Sequence, residues 1–207
     1  MDTIFYIAIL IMSVVIHEVS HGFMAEYFGD KTARYAGRLT LNPLKHLDLF
    51  GSVILPGFLI LTHSSFLFGW AKPVPYNPDN LSNKKWGTIA VAGAGVLANF
   101  CLAIIFGIII RLAPNLTTGF ILPGSFYFIT SAIVAINLAL GLFNLIPIPP
   151  LDGSKILFSL LPGSFYKIIS TLERYSFFVL IIFIVFFSDL LYPALAFLFQ
   201  LITGLEF

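Results

Sequence analysis

Five apolar stretches, at about residues 3–26, 51–69, 87–112, 125–147 and 175–202, dominate the chain. Each comes close to or exceeds the roughly 20 residues that a helix needs to cross a bilayer. Lipid offers no hydrogen bonds, so backbone that crosses it must satisfy itself, and helices are the default solution. Composition agrees: 58% of the 207 residues are hydrophobic and 10% are charged, against about 25% charged in a soluble domain. The 12 Pro and 16 Gly point to broken helices or re-entrant segments, which need protein or water around their freed backbone groups. A net charge of +1 gives no reason to invoke nucleic acid. The single Cys, Cys101, rules out an intrachain disulfide. The first stretch opens Met-Asp-Thr, without a basic n-region or a small-x-small cleavage site, and so reads as a retained transmembrane helix. Residues 1–207 read as one integral-membrane domain. Its expected fold is an all-α polytopic protein with about four transmembrane helices, re-entrant segments and a short β-hairpin over residues 29–43.

Charge sets the topology. Lys31, Arg34, Arg38 and Lys45 follow the first stretch, and Lys72, Lys84 and Lys85 precede the third. Positive residues mark the cytoplasmic side, and both basic segments share that side only if 51–69 does not cross. That stretch contains Pro56-Gly57 and Thr62-His63-Ser64-Ser65, which suits a re-entrant segment. The first helix then runs outside to inside, 87–112 returns, and 125–147 comes back in. Asp152 emerges on the same side as the end of the first helix. The last stretch is interrupted by Asp189 and Pro193 and reads either as a span plus an interfacial helix or as one kinked helix.

Near the end of the first apolar run stands His17-Glu18-Val19-Ser20-His21. Positions i and i+4 share a helix face, so both imidazoles can grip one ion, with Glu18 placed to reach a metal-bound water. An ionisable residue in a transmembrane segment is a functional-site hypothesis by default. A catalytic zinc usually takes three protein ligands and keeps one open position. The candidates for the third are His46, His63, Asp48 and Asp152. Asp152 follows Asn144-Leu-Ile-Pro-Ile-Pro-Pro-Leu, where three prolines must end the preceding helix and Gly153 permits a sharp turn. Asp152 could equally cap the helix beginning near Gly153.

The motif His17-Glu-Val-Ser-His21, followed some 130 residues later by Asn144-Leu-Ile-Pro-Ile-Pro-Pro-Leu-Asp152-Gly153, resembles the site-2 protease family of intramembrane zinc metalloproteases. The likeness is to the small members without PDZ or CBS domains. Asn42-Pro43-Leu-Lys-His46-Leu-Asp48 and Gly69-Trp-Ala-Lys-Pro-Val-Pro75-Tyr-Asn-Pro78 match as well, so the resemblance covers about residues 17–155. Two positions depart from the family pattern: Val96 stands for a proline in Ala94-Gly95-Val96-Leu97-Ala98-Asn99, and Leu49 follows Asp48 in place of another.

The resemblance implies one Zn2+ per chain held by His17, His21 and Asp152, with Glu18 as general base on the zinc-bound water. The implied reaction is hydrolysis of peptide bonds in or near transmembrane segments of membrane-protein substrates, as in regulated intramembrane proteolysis. The implied setting is the cytoplasmic membrane of a prokaryote. Asn99 and Asn144 could hold the substrate backbone or oxyanion, or simply hydrogen-bond between helices. His46 reads as a residue supporting the site, and the segments between 29 and 78 as clamps for an extended substrate. The alternative is a divalent-metal transporter, since some zinc transporters carry a comparable His-Glu-x-x-His run. Those place a second metal motif on an adjacent helix, and none is visible here.

Overall fold

The computed structural model describes residues 2–54, 58, 61, 62, 71–116 and 123–207. The apolar runs fold into α1 (Asp2–Tyr27), α3 (Lys84–Leu116) and α4 (Gly124–Leu145). A four-residue α2 (Thr32–Tyr35) lies between α1 and α3. Beyond α4 come α5 (Asp152–Leu160), α6 (Tyr166–Arg174), α7 (Ser176–Phe187) and α8 (Leu191–Thr203). Among the described residues three helices are long and apolar enough to cross a membrane: α1, α3 and α4. A fourth crossing is counted if α6 and α7, bent by 72°, form one broken span.

α3 packs against both α1 and α4, and α8 lies against α3 and α4. Ala103 and Ile110 of α3, Val134 and Leu138 of α4 and Phe199 of α8 form the buried centre of that contact. The opposite faces display Phe5, Ile104, Ile105, Ile108, Phe178 and Phe186, as expected of helices whose outer solvent is hydrocarbon. The last apolar stretch is two short helices joined by a 3-10 turn over Ser188–Leu190. Pro193 sits in the first turn of α8, where a missing N–H breaks no helical bond.

The β-hairpin expected over 29–43 does not form; no strand occurs among the described residues. Local hydrogen bonding explains the difference. The carboxylate of Asp30 accepts from the Thr32 N–H and hydroxyl, which starts the short α2, and Gly37 closes it at φ +64°. Asn42 then caps a 3-10 turn with Pro43 at its first position. These side-chain bonds offer the backbone a turn in place of a ladder.

Asp30 also accepts from the Asn77 N–H at 2.6 Å and from Asn80 Nδ2 at 3.0 Å, tying the end of α1 to the segment entering α3. Burial alone would raise its pKa, but the hydrogen bonds from Thr32, Asn80 and Asn77 hold it below the usual carboxylate range. The stability this contributes is therefore present at neutral pH and is lost only as pH falls through that lowered value.

Most of 51–69, including His63, lies outside the described residues. Leu49–Ile54 forms a short π-helical stretch. Asp48 accepts from the Phe50 and Gly51 N–H groups at its start.

Candidate metal centre

His17 and His21 lie one turn apart on α1, buried, with their rings edge-to-face at 4.6 Å between centroids. Each ring is fixed from behind through Nδ1. His21 Nδ1 lies 2.6 Å from the Val91 carbonyl of α3, which can only accept, so this nitrogen carries the proton. His17 Nδ1 lies 2.5 Å from Asn99 Oδ1 on the same helix. Both rings therefore turn Nε2 into one point, the two nitrogens 3.0 Å apart.

Asp152 completes the group. Its Oδ2 lies 3.1 Å from each Nε2, and its Oδ1 accepts from Lys155 Nζ at 3.0 Å. Burial works against its charge, but the two imidazoles and the Lys155 ammonium hold the carboxyl well below the usual range. Asp152 is the first residue of α5, and Leu151, which precedes it, makes no side-chain cap. The carboxylate is thus spent on the histidines rather than on capping.

Three ligand atoms within about 3 Å of one another need a cation among them, either a proton or a metal ion. The spacing suits a small tetrahedral ion. With zinc–ligand bonds of about 2.0–2.1 Å, tetrahedral ligands lie roughly 3.3 Å apart. His17, His21 and Asp152 are the metal-capable group found among the described residues.

Two close approaches make this convergence sterically possible. At Gly95 a Cβ would stand 2.6 Å from the Cε1 atoms of both histidines. At Gly153 a Cβ would stand 2.1 Å from the Leu145 carbonyl oxygen. Gly153 has no positive φ. Its small size lets α5 start directly against the end of α4, which carries Asp152 to α1.

A cavity of about 150 Å³ opens beside the group, lined also by Glu18, Tyr76, Asn144 and Lys155. Glu18 Oε2 accepts from the Val74 N–H at 2.9 Å. Val74 belongs to a strap outside any helix, residues 71–77, that forms one wall. Buried Arg38 holds the strap by donating to the carbonyls of Lys45, Lys72 and Pro73. His46 contributes its carbonyl to the Lys72 N–H and sets its Nε2 at 2.9 Å from the Thr40 carbonyl. His46 therefore supports the strap and is not in the metal group. Asp48, capping its own turn, is not in it either.

Asn144 lines the cavity and donates to the Leu140 carbonyl one turn back. Asn99 does not line it. That side chain is fully buried behind His17 and donates through Nδ2 to Asn137 Oδ1 at 2.8 Å. Sequence reasoning missed Asn137, Gly95, Lys155 and Arg38. A polar residue in an apolar helix was the available signal for Asn137, and a charge three residues after a ligand was the signal for Lys155.

The geometry brings two imidazoles and a carboxylate together as a candidate metal site, with a second carboxylate at its cavity. The model of peptidase family M50 matches residues 5–122 and 122–187. "Putative zinc metalloprotease YwhC" of Bacillus subtilis is 37% identical over 175 residues, covering 84% of this chain and 76% of that protein. "Putative zinc metalloprotease Rip2" of Mycolicibacterium smegmatis is 28% identical over 184 residues, covering 88% of this chain and 67% of the relative. No solved structure matches. The chain belongs to peptidase family M50, the site-2 protease family, and zinc is the metal that its donor set and its relatives imply.

Proposed function

We propose that this protein is an intramembrane zinc endopeptidase that cuts membrane proteins in or near their transmembrane segments. His17, His21 and Asp152 hold the zinc, and Glu18 is the general base. The observation that carries the reading is the meeting of three metal-ligand atoms, from His17, His21 and Asp152, at a cavity that Glu18 also lines. Zinc held there supplies Lewis acidity, which acidifies water and polarises a carbonyl. Glu18 keeps Oε2 on the Val74 N–H and takes a water proton through Oε1, then returns it to the leaving amine. Lys155 holds Asp152 by the oxygen that faces away from the histidines, so that carboxylate offers the metal a single atom. Asn144 spends one amide hydrogen on Leu140 and has the second for a substrate carbonyl.

The substrate must be extended at the cut, because a helix keeps its carbonyls in its own bonds. The strap is a poor template for strand pairing over residues 73–75. Pro73 and Pro75 have no N–H, and that of Val74 is held by Glu18. Its contribution is a wall that aims Glu18.

The three spanning helices and the Bacillus relative favour a prokaryotic cytoplasmic membrane as the setting. The test is cleavage in reconstituted vesicles. Purified protein should cut a model transmembrane substrate, stop when zinc is stripped by a chelator, and resume on zinc addition. Zinc uptake into the vesicles without cleavage would favour the transporter instead.

A further inference from the structure

The hydrogen bonds behind His17 run further than the metal centre requires, and they return to the helix they left. His17 Nδ1 meets Asn99 Oδ1 on α3, and Asn99 Nδ2 donates to Asn137 Oδ1 on α4. Asn137 Nδ2 donates at 2.9 Å both to Ser13 Oγ, back on α1, and to the carbonyl of Ile133. Asn99 and Asn137 are completely buried, and Ser13 nearly so.

We infer that Asn137, two helices removed from the metal, is a positioning residue that decides which nitrogen of His17 faces the zinc. The inference rests on the zinc reading above. Its logic is directional. The Ile133 carbonyl can only accept, so the Asn137 amide must turn its NH2 that way and its oxygen toward Asn99. Asn99 must then offer NH2 to Asn137 and oxygen to His17. An oxygen beside Nδ1 requires the proton on Nδ1, which leaves Nε2 bare as a ligand. Reversing both amides would set Asn137 Oδ1 against the Ile133 carbonyl, oxygen to oxygen, with no proton between them. Ser13 could turn its hydroxyl to suit either arrangement, so the backbone carbonyl is what fixes the direction.

His21 needs no such relay, because its Nδ1 meets a backbone carbonyl directly. His17 has a side-chain amide in that place, and an amide can flip. Asn137 is what prevents the flip. Outer partners of this kind are typically worth 10–100-fold in metal affinity.

The test measures zinc dissociation constants by chelator competition in detergent. Asn137→Leu should weaken zinc binding roughly 10–100-fold, because Asn99 is then free to present its NH2 to His17. Ser13→Ala should change it little. The decisive variant is the double substitution Asn99→Asp with Asn137→Leu. A carboxylate presents oxygen to Nδ1 in either orientation, so zinc affinity should recover toward wild type. A merely structural defect at position 137 would not be repaired by adding a second one at position 99.

Wild-type affinity in Asn137→Leu, or no recovery in the double variant, would overturn the inference while leaving the zinc site standing. Absence of zinc from the wild type would overturn both. If Asn137→Leu does not fold, nitrogen NMR of histidine-labelled, zinc-free wild type decides the matter, with His17 assigned through His17→Gln. Nδ1 of His17 should carry a proton, and an Nδ1 without one would contradict the inference.

Discussion

Glu18→Gln is expected to retain about one zinc per chain and to lose cleavage of a transmembrane substrate by a factor of roughly 10²–10⁴, the usual contribution of a positioned general base. The two halves of that result have separate causes. Glu18 is not in the group whose ligand atoms converge; His17, His21 and Asp152 make up that group without it. A glutamine oxygen can still accept the Val74 N–H that now goes to Oε2, so the strap and the cavity wall stay in place. What disappears is the capacity to take up a proton. Zinc content and kcat/KM measured on the same preparation check both halves. Near-wild-type cleavage would move the base to another residue, and lost zinc would mean that Glu18 holds the site together.

Gly95→Ala should have the opposite signature, a sound fold with a failed metal site. The added methyl would lie 2.6 Å from His17 Cε1 and from His21 Cε1 and Nε2. Real Cβ atoms do not approach so closely, so something must move. The imidazoles cannot retreat easily, because the Val91 carbonyl and Asn99 hold their far sides. Their Nε2 atoms are therefore displaced from Asp152, and zinc affinity should fall by about 100-fold or more, the upper end of what a misplaced ligand shell produces. Helix propensity alone predicts the reverse sign, since Ala is favoured over Gly inside a helix by about 0.5–1 kcal/mol. Gly93→Ala separates the two effects. It lies on the same helix with nothing within 4 Å of a built Cβ, so it should keep zinc and not lower the melting temperature. Equal zinc affinity in both variants would show that the close approach at Gly95 does not matter.

These two expectations differ in how far the sequence alone supports them. Glu18 is part of a local motif: i and i+4 imidazoles with an adjacent carboxylate are legible because helical periodicity is local. The span boundaries near 27, 84 and 145 follow from apolar runs and are legible for the same reason. Asp152 was within reach through charge topology and the proline run that ends α4, and the structure brings it onto the histidines as that argument required.

The consequence of a methyl at Gly95 was not legible, because it depends on where α1 lies against α3. Gly153 was noticed for a turn; that its small size also lets α5 meet the backbone of α4 was not legible. Asn99 was read either as holding substrate or as hydrogen-bonding between helices, and the structure shows the helix–helix bond. Its partner Asn137 stands 38 positions away, and only that pairing shows why its oxygen points to His17. The hairpin expected over 29–43 failed where β-like spacing was outweighed by the turn-forming bonds of Asp30 and Asn42.

The most direct test of the central claim is zinc content per polypeptide in detergent for wild type and for Asp152→Ala. About one zinc in wild type and far less in the variant is the predicted result, since removing one of three ligands leaves only two imidazoles to hold the metal. Equal zinc in both proteins would contradict the account, because the third ligand would then come from elsewhere in the chain and Asp152 would owe its place beside His17 and His21 to something other than the metal.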